Sequence, residues 1–363
     1  MQSKVSIIFH PVSRKFLFRY EPGMKRLPIE VAKRLLELAP PFRAAVIEGI
    51  KSEVTGEVFN GDFVMCSLLT EQMLLLNPRR VLNRVVKAAK FAKDSHASLI
   101  CLVAYAAFVG QKGKKVMDRV GVPVTNGLHM TVAVIPEALF KSLAVLGVSS
   151  RNLKVFAFGA NAAVDVVVRQ MGSSCSTVYV FQSSADKRSS LSDRFSPETN
   201  KKAVITSTDP KYILKDMDIV INATNRHPVS FKEEYLKKGA IVFDASYPRS
   251  ISIEREDIFL IDGLAMEPPG KPKFNCYFGL DEGLCYPCMS EAITLAFEGR
   301  FEPYTLGKDL FSQKAISIFQ AALKHGFRIG PLTSHEEVIS LDKIQTIKNS
   351  LKRKGFISVN QLY

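Results

Sequence analysis

Leu153-Lys154-Val155-Phe156-Ala157-Phe158-Gly159-Ala160-Asn161-Ala162-Ala163-Val164-Asp165 is the stretch whose reading decides the fold. Six mostly apolar residues end on a glycine, and an apolar segment with helical spacing follows at once. That order is the strand, tight turn and helix of a doubly wound α/β sheet. Further short apolar strands are predicted at 177–181, 219–222, 240–244 and 258–261, with a helix over 162–170. Ligands of such sheets lie beyond the carboxyl ends of the strands, so Gly159, Gln182, Ala223 and Asp244 are expected to border one crevice, whose usual occupant is a nucleotide.

Outward from this stretch the chain divides into three predicted parts. Residues 149–267 form the Rossmann-like domain. Residues 1–148 form an N-terminal α/β domain, with a strand at 5–9, a helix over 29–38, paired strands within 46–59, a helix over 79–93 after Pro78, a continuous buried strand over 99–108 and a helix over 132–146. After the Pro268, Pro269, Gly270, Pro272 linker, residues 268–363 read as mainly helical, with helices over 289–298 and 314–324 and an amphipathic tail carrying Ile344, Ile347 and Leu351. That tail is read as a packed surface helix in preference to a membrane-binding one, although peripheral membrane contact is kept as an alternative.

Composition sets wider bounds. The 363 residues are 47% hydrophobic, enough for two or three cores, and the six cysteines are too sparse for a disulfide framework. The longest apolar run, 99–109, is too short to cross a bilayer, and no leader pattern stands at the N-terminus, so a cytoplasmic protein with reduced thiols is expected. A formal charge of +14 implies an acidic partner. No nucleic-acid-binding module is recognisable, so nucleic acid is not expected to be that partner.

The glycine-rich turn is eroded. Gly159 remains, but Ala162 adds a methyl group where backbone should approach phosphate, and Asp165 brings a carboxylate into the first helical turn, where it would repel pyrophosphate. Candidate dinucleotide contacts are Gly159, Asn161 and Ala162 at the turn, Ala223 and Thr224 after the 219–222 strand, and Ser183, Ser184, Lys187 and Arg188 after the 177–181 strand. The last four are polar or basic, where an acidic residue would hold an unphosphorylated ribose, so NADPH is the cofactor expected.

Cys285-Tyr286-Pro287-Cys288-Met289-Ser290-Glu291 carries the candidate chemistry. Cys288 stands just before a predicted helix, whose unpaired N–H groups and partial positive charge favour thiolate. A buried structural cysteine is the competing reading. The Cys285 and Cys288 pair also matches half a zinc site or a redox dithiol, but a second paired motif and a thioredoxin-like order are lacking, and no metal site is expected.

Several motifs resemble those of the cyanobacterial-type long-chain acyl-[acyl-carrier-protein] reductases, which convert fatty acyl thioesters to aldehydes. They are Thr55-Gly56-Glu57 with Gly61; Arg80, Leu82 and Asn83; 125–129; Asp244, Tyr247 and Pro248; Cys288 with Glu291; and 324–328. The resemblance runs from about residue 7 to 329. It implies that Cys288 is the cysteine that becomes acylated, that NADPH binds the middle domain, that the N-terminal domain helps hold the long acyl chain, and that acyl carrier protein or acyl-CoA is the donor. His129 is then a candidate proton donor or support for the cysteine, a structural role being the other reading. The chain departs from the family at Val103 and Ala104, where a glycine pair is expected, and at Ala106 and Ala107, where serines are. Those departures and the eroded turn bear on hydride transfer, so a non-reducing homologue that moves acyl groups or binds acyl carriers is the alternative.

Overall fold

The computed structural model describes residues 4–352 except 160, 173, 183–202, 225–230, 247–248, 308–309 and 335–336. The chain folds as two α/β units, one built from residues 1–131 and 265–330, the other from 132–264 and 331–363. The three consecutive parts expected from sequence therefore give way to two units, because the segment after the proline-rich linker is divided between them.

In the first unit six strands stand in the order β13-β2-β3-β1-β4-β5: β1 Val5–Phe9, β2 Phe42–Ile50, β3 Gly61–Met65, β4 Leu99–Leu102, β5 Val124–Thr125 and β13 Gly270–Lys273. Strands β3, β1, β4 and β5 are parallel, and β2 and β13 extend the sheet antiparallel. The helix Pro78–Asp94 lies against this sheet with Asn77 accepting from the Arg79 N–H as its cap and Pro78 in the first turn. Its Val81, Leu82, Val85, Val86 and Ala89 repeat at helical spacing and are buried in one core with Ile8, Val64 and Leu102.

Two expectations in this unit are corrected. The strand predicted over 99–108 stops at Leu102, because Ala104 takes a left-handed φ of 52° and turns the chain into a short 3-10 helix, Ala104–Phe108. The segment read as mainly helical, which follows strand β12 Gly263–Glu267, contributes β13 to the sheet and further strands β14 Arg328–Ser334 and β15 Glu337–Val338.

The second unit holds a six-stranded parallel sheet in the order β11-β10-β9-β6-β7-β8, where β6 is Leu153–Phe158, β7 Cys175–Phe181, β8 Ala203–Thr206, β9 Ile219–Asn222, β10 Ile241–Asp244 and β11 Phe259–Ile261. Counted along this unit, the order is 3-2-1-4-5-6 read from the β8 edge, the doubly wound dinucleotide-fold arrangement. The topological switch falls between β6 and β9, where Gly159 and Ala223 end their strands. Strand β8, rich in β-branched residues but only partly buried, was not predicted.

One helical stretch, Leu128–Leu146, is long and apolar enough to cross a bilayer by length and composition, with mean hydropathy 1.4, and 61% of it is buried inside the protein. Within the second unit its Ile135–Leu146 helix packs Ala138, Leu139 and Leu143 inward, as a core helix does. The tail helix Leu341–Lys352 buries Ile347 and Leu351, the packing expected of a surface helix, and Leu351 fits against the bare backbone of Gly239.

Candidate active site

The thiol of Cys288 lies in the first turn of a helix, Pro287–Phe297, which starts two residues earlier than the sequence suggested. Pro287 fixes the first helical φ and lacks the N–H that the turn would leave unpaired. All other residues of this helix are buried, including Ser290, Glu291 and Thr294, so it is a core helix. Cys288 alone is partly exposed. The helix has no side-chain cap. The backbone N–H groups of Met289, of Ala104 beyond the end of β4 and of Cys288 itself favour a charged sulfur.

Burial, followed by the charge of Glu291 one turn on, pushes the Cys288 thiol up to about 12, with those three N–H groups pulling the other way. The helix start thus favours thiolate, as its dipole requires, without overcoming the loss of water. The resting group is a neutral thiol. Beneath it Cys101 of β4 donates to the Cys288 carbonyl oxygen at 3.4 Å. Cys285 is buried and lies 3.3 Å from the Ser290 hydroxyl. The two halves of the C-x-x-C therefore have different environments, and all six cysteines are free thiols.

Glu291 organises the loop that faces the cysteine. Fully buried, it accepts from the Thr125 hydroxyl at 2.5 Å, the Thr305 hydroxyl at 2.8 and 2.9 Å, the Met130 N–H at 3.1 Å and the Gly127 N–H. Four donors offset much of the cost of burying a carboxylate, although burial still raises its pKa. The same bonds hold Gly127 against the turn that carries Cys288. Gly127 has φ +70°, and a Cβ there would stand 2.3 Å from both Cα and Cβ of Cys288. No other residue fits.

His129 belongs to this scaffold. Its Nε2 accepts the Phe311 N–H at 3.0 Å, which leaves Nδ1 protonated to donate to the Thr305 hydroxyl at 2.5 Å, and Thr305 in turn donates to Glu291. Burial pushes the ring down to about 4, so it is neutral at physiological pH. With both nitrogens engaged, His129 supports the cysteine's surroundings, and the proton-donor role considered from sequence is not the one its geometry serves. The other end of the cysteine helix is pinned in parallel fashion: Glu298 accepts from His325 Nε2 at 2.7 Å, and His325 Nδ1 meets the Ser52 hydroxyl at 2.7 Å. A third buried histidine, His10, which sequence reasoning passed over, stands beside the turn after β4. His10 Nε2 accepts the Tyr105 N–H at 3.0 Å.

In the second unit the candidate dinucleotide residues meet at the switch point. Gly159 has φ +93° and its bare Cα faces the Ala223 carbonyl, where a Cβ would approach to 3.3 Å. Ala162 is 3% exposed, so its methyl group is packed inside and does not stand over the crevice. Asp165 is buried and paired with Arg169 at 3.2 Å, which removes the naked carboxylate expected to repel phosphate. The substitution that matters is Asn161, which occupies the second glycine position of the G-x-G-x-x-G spacing. Its Oδ1 accepts the Ala163 N–H at 3.0 Å and its Nδ2 donates to the Ala223 carbonyl at 2.5 Å, capping the helix Ala162–Met171. Thr224 bonds the side chain of Asn222, and Asp244 accepts from Asn222, Ser246, Ser250 and Ile251, which fixes the loop after β10. Strand order, bare Gly159 and buried Ala162 fit a dinucleotide, with Asn161 the side chain that has to share or yield the helix start. Ser183, Ser184, Lys187 and Arg188, and also Tyr247 and Pro248, lie outside the described residues.

No protein-family model matches the chain. Among solved structures it is similar to L-tryptophan dehydrogenase from Nostoc punctiforme (11% identity, TM-score 0.38, 88% of this chain and 80% of that one). It is also similar to quinate dehydrogenase from Corynebacterium glutamicum in complex with NAD (14% identity, TM-score 0.32, 68% and 81%). Aminotransferase PigE of Serratia sp. (strain ATCC 39006) is 25% identical over 305 residues, 82% of this chain and 35% of that protein, so the chain spans about a third of that relative's length.

Proposed function

We propose that the protein is an NADPH-dependent acyl-thioester reductase that forms an aldehyde through an acyl-enzyme on Cys288. The observation that carries this reading is the cysteine helix: buried at every position but one, with the exception, Cys288, in its first turn, where backbone N–H groups favour charge on the sulfur. Thiol–thioester exchange balances without an added acid or base. The Cys288 sulfur forms the new bond to the acyl carbon, the carrier sulfur leaves, and the proton lost by Cys288 ends on the departing thiol. The N–H groups that stabilise charge on sulfur lie where charge also develops on the acyl oxygen. A bound nicotinamide would supply hydride to the acyl carbon, releasing aldehyde and the Cys288 thiolate, which takes a proton from water to restore the thiol. Gly159, Asn161, Ala162, Ala223 and Thr224 would hold it, with Ser183, Ser184, Lys187 and Arg188 at the 2′-phosphate.

The donor is an acyl carrier protein or acyl-CoA in the cytoplasm, carrying a long acyl chain. Exposed Arg79, Lys87, Lys90, Lys114 and Lys115 on neighbouring helices of the first unit offer an acidic carrier a basic face. The name of the Serratia relative supports an aldehyde product, since amino-group transfer consumes a carbonyl compound and most of that protein lies beyond the shared part.

Intact-mass spectrometry after incubation with a long-chain acyl thioester, with and without NADPH, tests the reading. An adduct absent from Cys288→Ser, with aldehyde only when NADPH is present, is expected. No adduct at any chain length would sink it. A second reading, acyl transfer without reduction, is favoured by the Asn161 cap on the dinucleotide helix, and an adduct that never yields aldehyde would select it.

A further inference from the structure

We infer that the outward face of the helix Ile29–Leu38, in the first unit, docks the protein on an anionic phospholipid bilayer: Val31, Leu35 and Leu38 enter the lipid, and Lys25, Arg26 and Arg34 meet the headgroups.

A surface helix needs one apolar side to pack, and this one has two. Ala32 and Leu36 face inward, Ala32 fully buried and Leu36 in a small core with Leu17 and Leu69. Val31, Leu35 and Leu38 stand at i, i+4 and i+7, which puts them in one row along the helix. That row faces outward, for the three residues are 45%, 43% and 78% exposed. Single exposed aliphatics are ordinary, whereas a row of them on one helix is a patch that marks an interaction surface.

Neighbouring elements hold the row in place without covering it. Arg84 donates to the carbonyl oxygens of Leu36 at 3.2 Å and Ala39 at 2.5 Å, which satisfies the C-terminal end of the helix. Gln72 donates to the Lys33 carbonyl oxygen at 3.1 Å, and Arg80 pairs with Glu37 at 2.6 Å. By helical position Lys33 and Glu37 lie on the far side from Val31 and Leu35, so these bonds leave the row open.

The charge beside the row selects the occupant. Arg34 adjoins it on the helix, and Lys25 and Arg26 end the 3-10 turn Pro22–Arg26 just before the helix begins. All three are exposed, and none has a carboxylate partner among the described residues. The nearby carboxylates are engaged, Glu30 with Lys33 at 2.9 Å and Glu37 with Arg80. Aliphatic side chains with cations beside them match the boundary between acyl chains and phosphates, where apolar burial and headgroup attraction act together. The row has no aromatic anchor of the kind that fills a pocket on a protein partner. The formal charge of +14 draws the whole chain toward an anionic surface. A patch this small gives reversible attachment and no permanent anchor. A bilayer would also receive the long-chain aldehyde of the reaction proposed above, but docking does not rest on that reading.

Flotation of the full chain with vesicles of phosphatidylcholine alone, and of phosphatidylcholine mixed with phosphatidylglycerol, is the test. The chain should float with the mixed vesicles and bind the neutral ones about tenfold less. Combining Val31→Ser, Leu35→Ser and Leu38→Ser should weaken binding to the mixed vesicles about tenfold or more, and combining Lys25→Gln, Arg26→Gln and Arg34→Gln should do the same. Circular dichroism should be unchanged in both variants, because every substituted side chain is exposed. No flotation with either vesicle overturns the inference. Binding by the serine variant that equals the parent's also overturns it, since net charge alone would then attract the chain. A parent dimer in sedimentation velocity that the serine variant loses would assign the row to a second copy, and so overturn it as well. Flotation of a chain that forms no acyl adduct on Cys288 would leave the docking surface standing while removing the reductase reading.

Discussion

The helices Pro287–Phe297 and Ala162–Met171 each begin where chemistry is expected, and their first turns are used in different ways. The first has no side-chain cap, and its first turn carries the Cys288 sulfur, whose charged form the backbone N–H groups favour. The second is closed by Asn161, whose carboxamide takes the Ala163 N–H and ties the turn to Ala223. A helix start is an anion site only while its N–H groups remain available. The cysteine helix leaves its first turn free of a side-chain cap beside a neutral thiol, whereas the dinucleotide helix covers part of its own start with a side chain. In the proposed reaction the acylation half therefore needs the thiol to lose its proton, and the nucleotide half needs Asn161 to rearrange or to share.

The comparison breaks most severely at Gly127. Its replacement by Ala puts a methyl group into Cys288 and forces a left-handed alanine, and the summed overpacking and backbone costs are about 2–5 kcal/mol, visible as a lower urea midpoint by circular dichroism. Acid should separate the two units next. His10 and His129 both belong to the first unit, and none of the described residues of the second is a histidine. Their folded pKa values near 4 lie below the unfolded value of 6.5, so between these the unfolded chain binds more protons and stability is lost as pH falls. Each histidine contributes up to about 3 kcal/mol, and Glu291, whose raised pKa favours the acid form, opposes part of that loss. Urea unfolding at pH 7 and at pH 4.5 should show the first unit's signals failing first, and a pH-independent midpoint would contradict the buried neutral rings.

Asn161 sharpens the other side. Asn161→Ala should cost about 1 kcal/mol of stability through the lost cap, whereas Asn161→Gly should cost only a few tenths and bind NADPH more tightly. Because the chain contains no tryptophan, NADPH fluorescence can be titrated directly, and unchanged affinity in Asn161→Gly would show that the cap is no obstacle. The smallest effect is expected from Ala104→Gly, which relieves the left-handed alanine but frees the unfolded backbone, for a gain of at most about 1 kcal/mol in thermal unfolding.

The doubly wound unit was legible because its strands are short, continuous apolar runs separated by helical spacing, and Leu153–Phe158 and Ile219–Asn222 fall as expected. Cys288 was legible because Pro287 and the buried residues after it mark a helix start locally. The rest of the site was not. The bonds that build it join Tyr105 to His10 across 95 residues, and Thr125 to Glu291 across 166. No local pattern records such pairs, and Ala104, an ordinary strand residue by its neighbours, sits in a turn whose next residue, Tyr105, gives its N–H to His10.

The sequence by itself determined the α/β class, the switch-point glycine and the helix that presents Cys288, since these follow from periodicity and turn chemistry within a few residues. Only the tertiary structure decided that the post-linker segment is shared between two units, that Ala162 is packed inside and Asp165 paired while Asn161 caps the helix start, and that the cysteine rests as a thiol. Those outcomes depend on which groups are withdrawn from water together, and burial is a property of the whole fold.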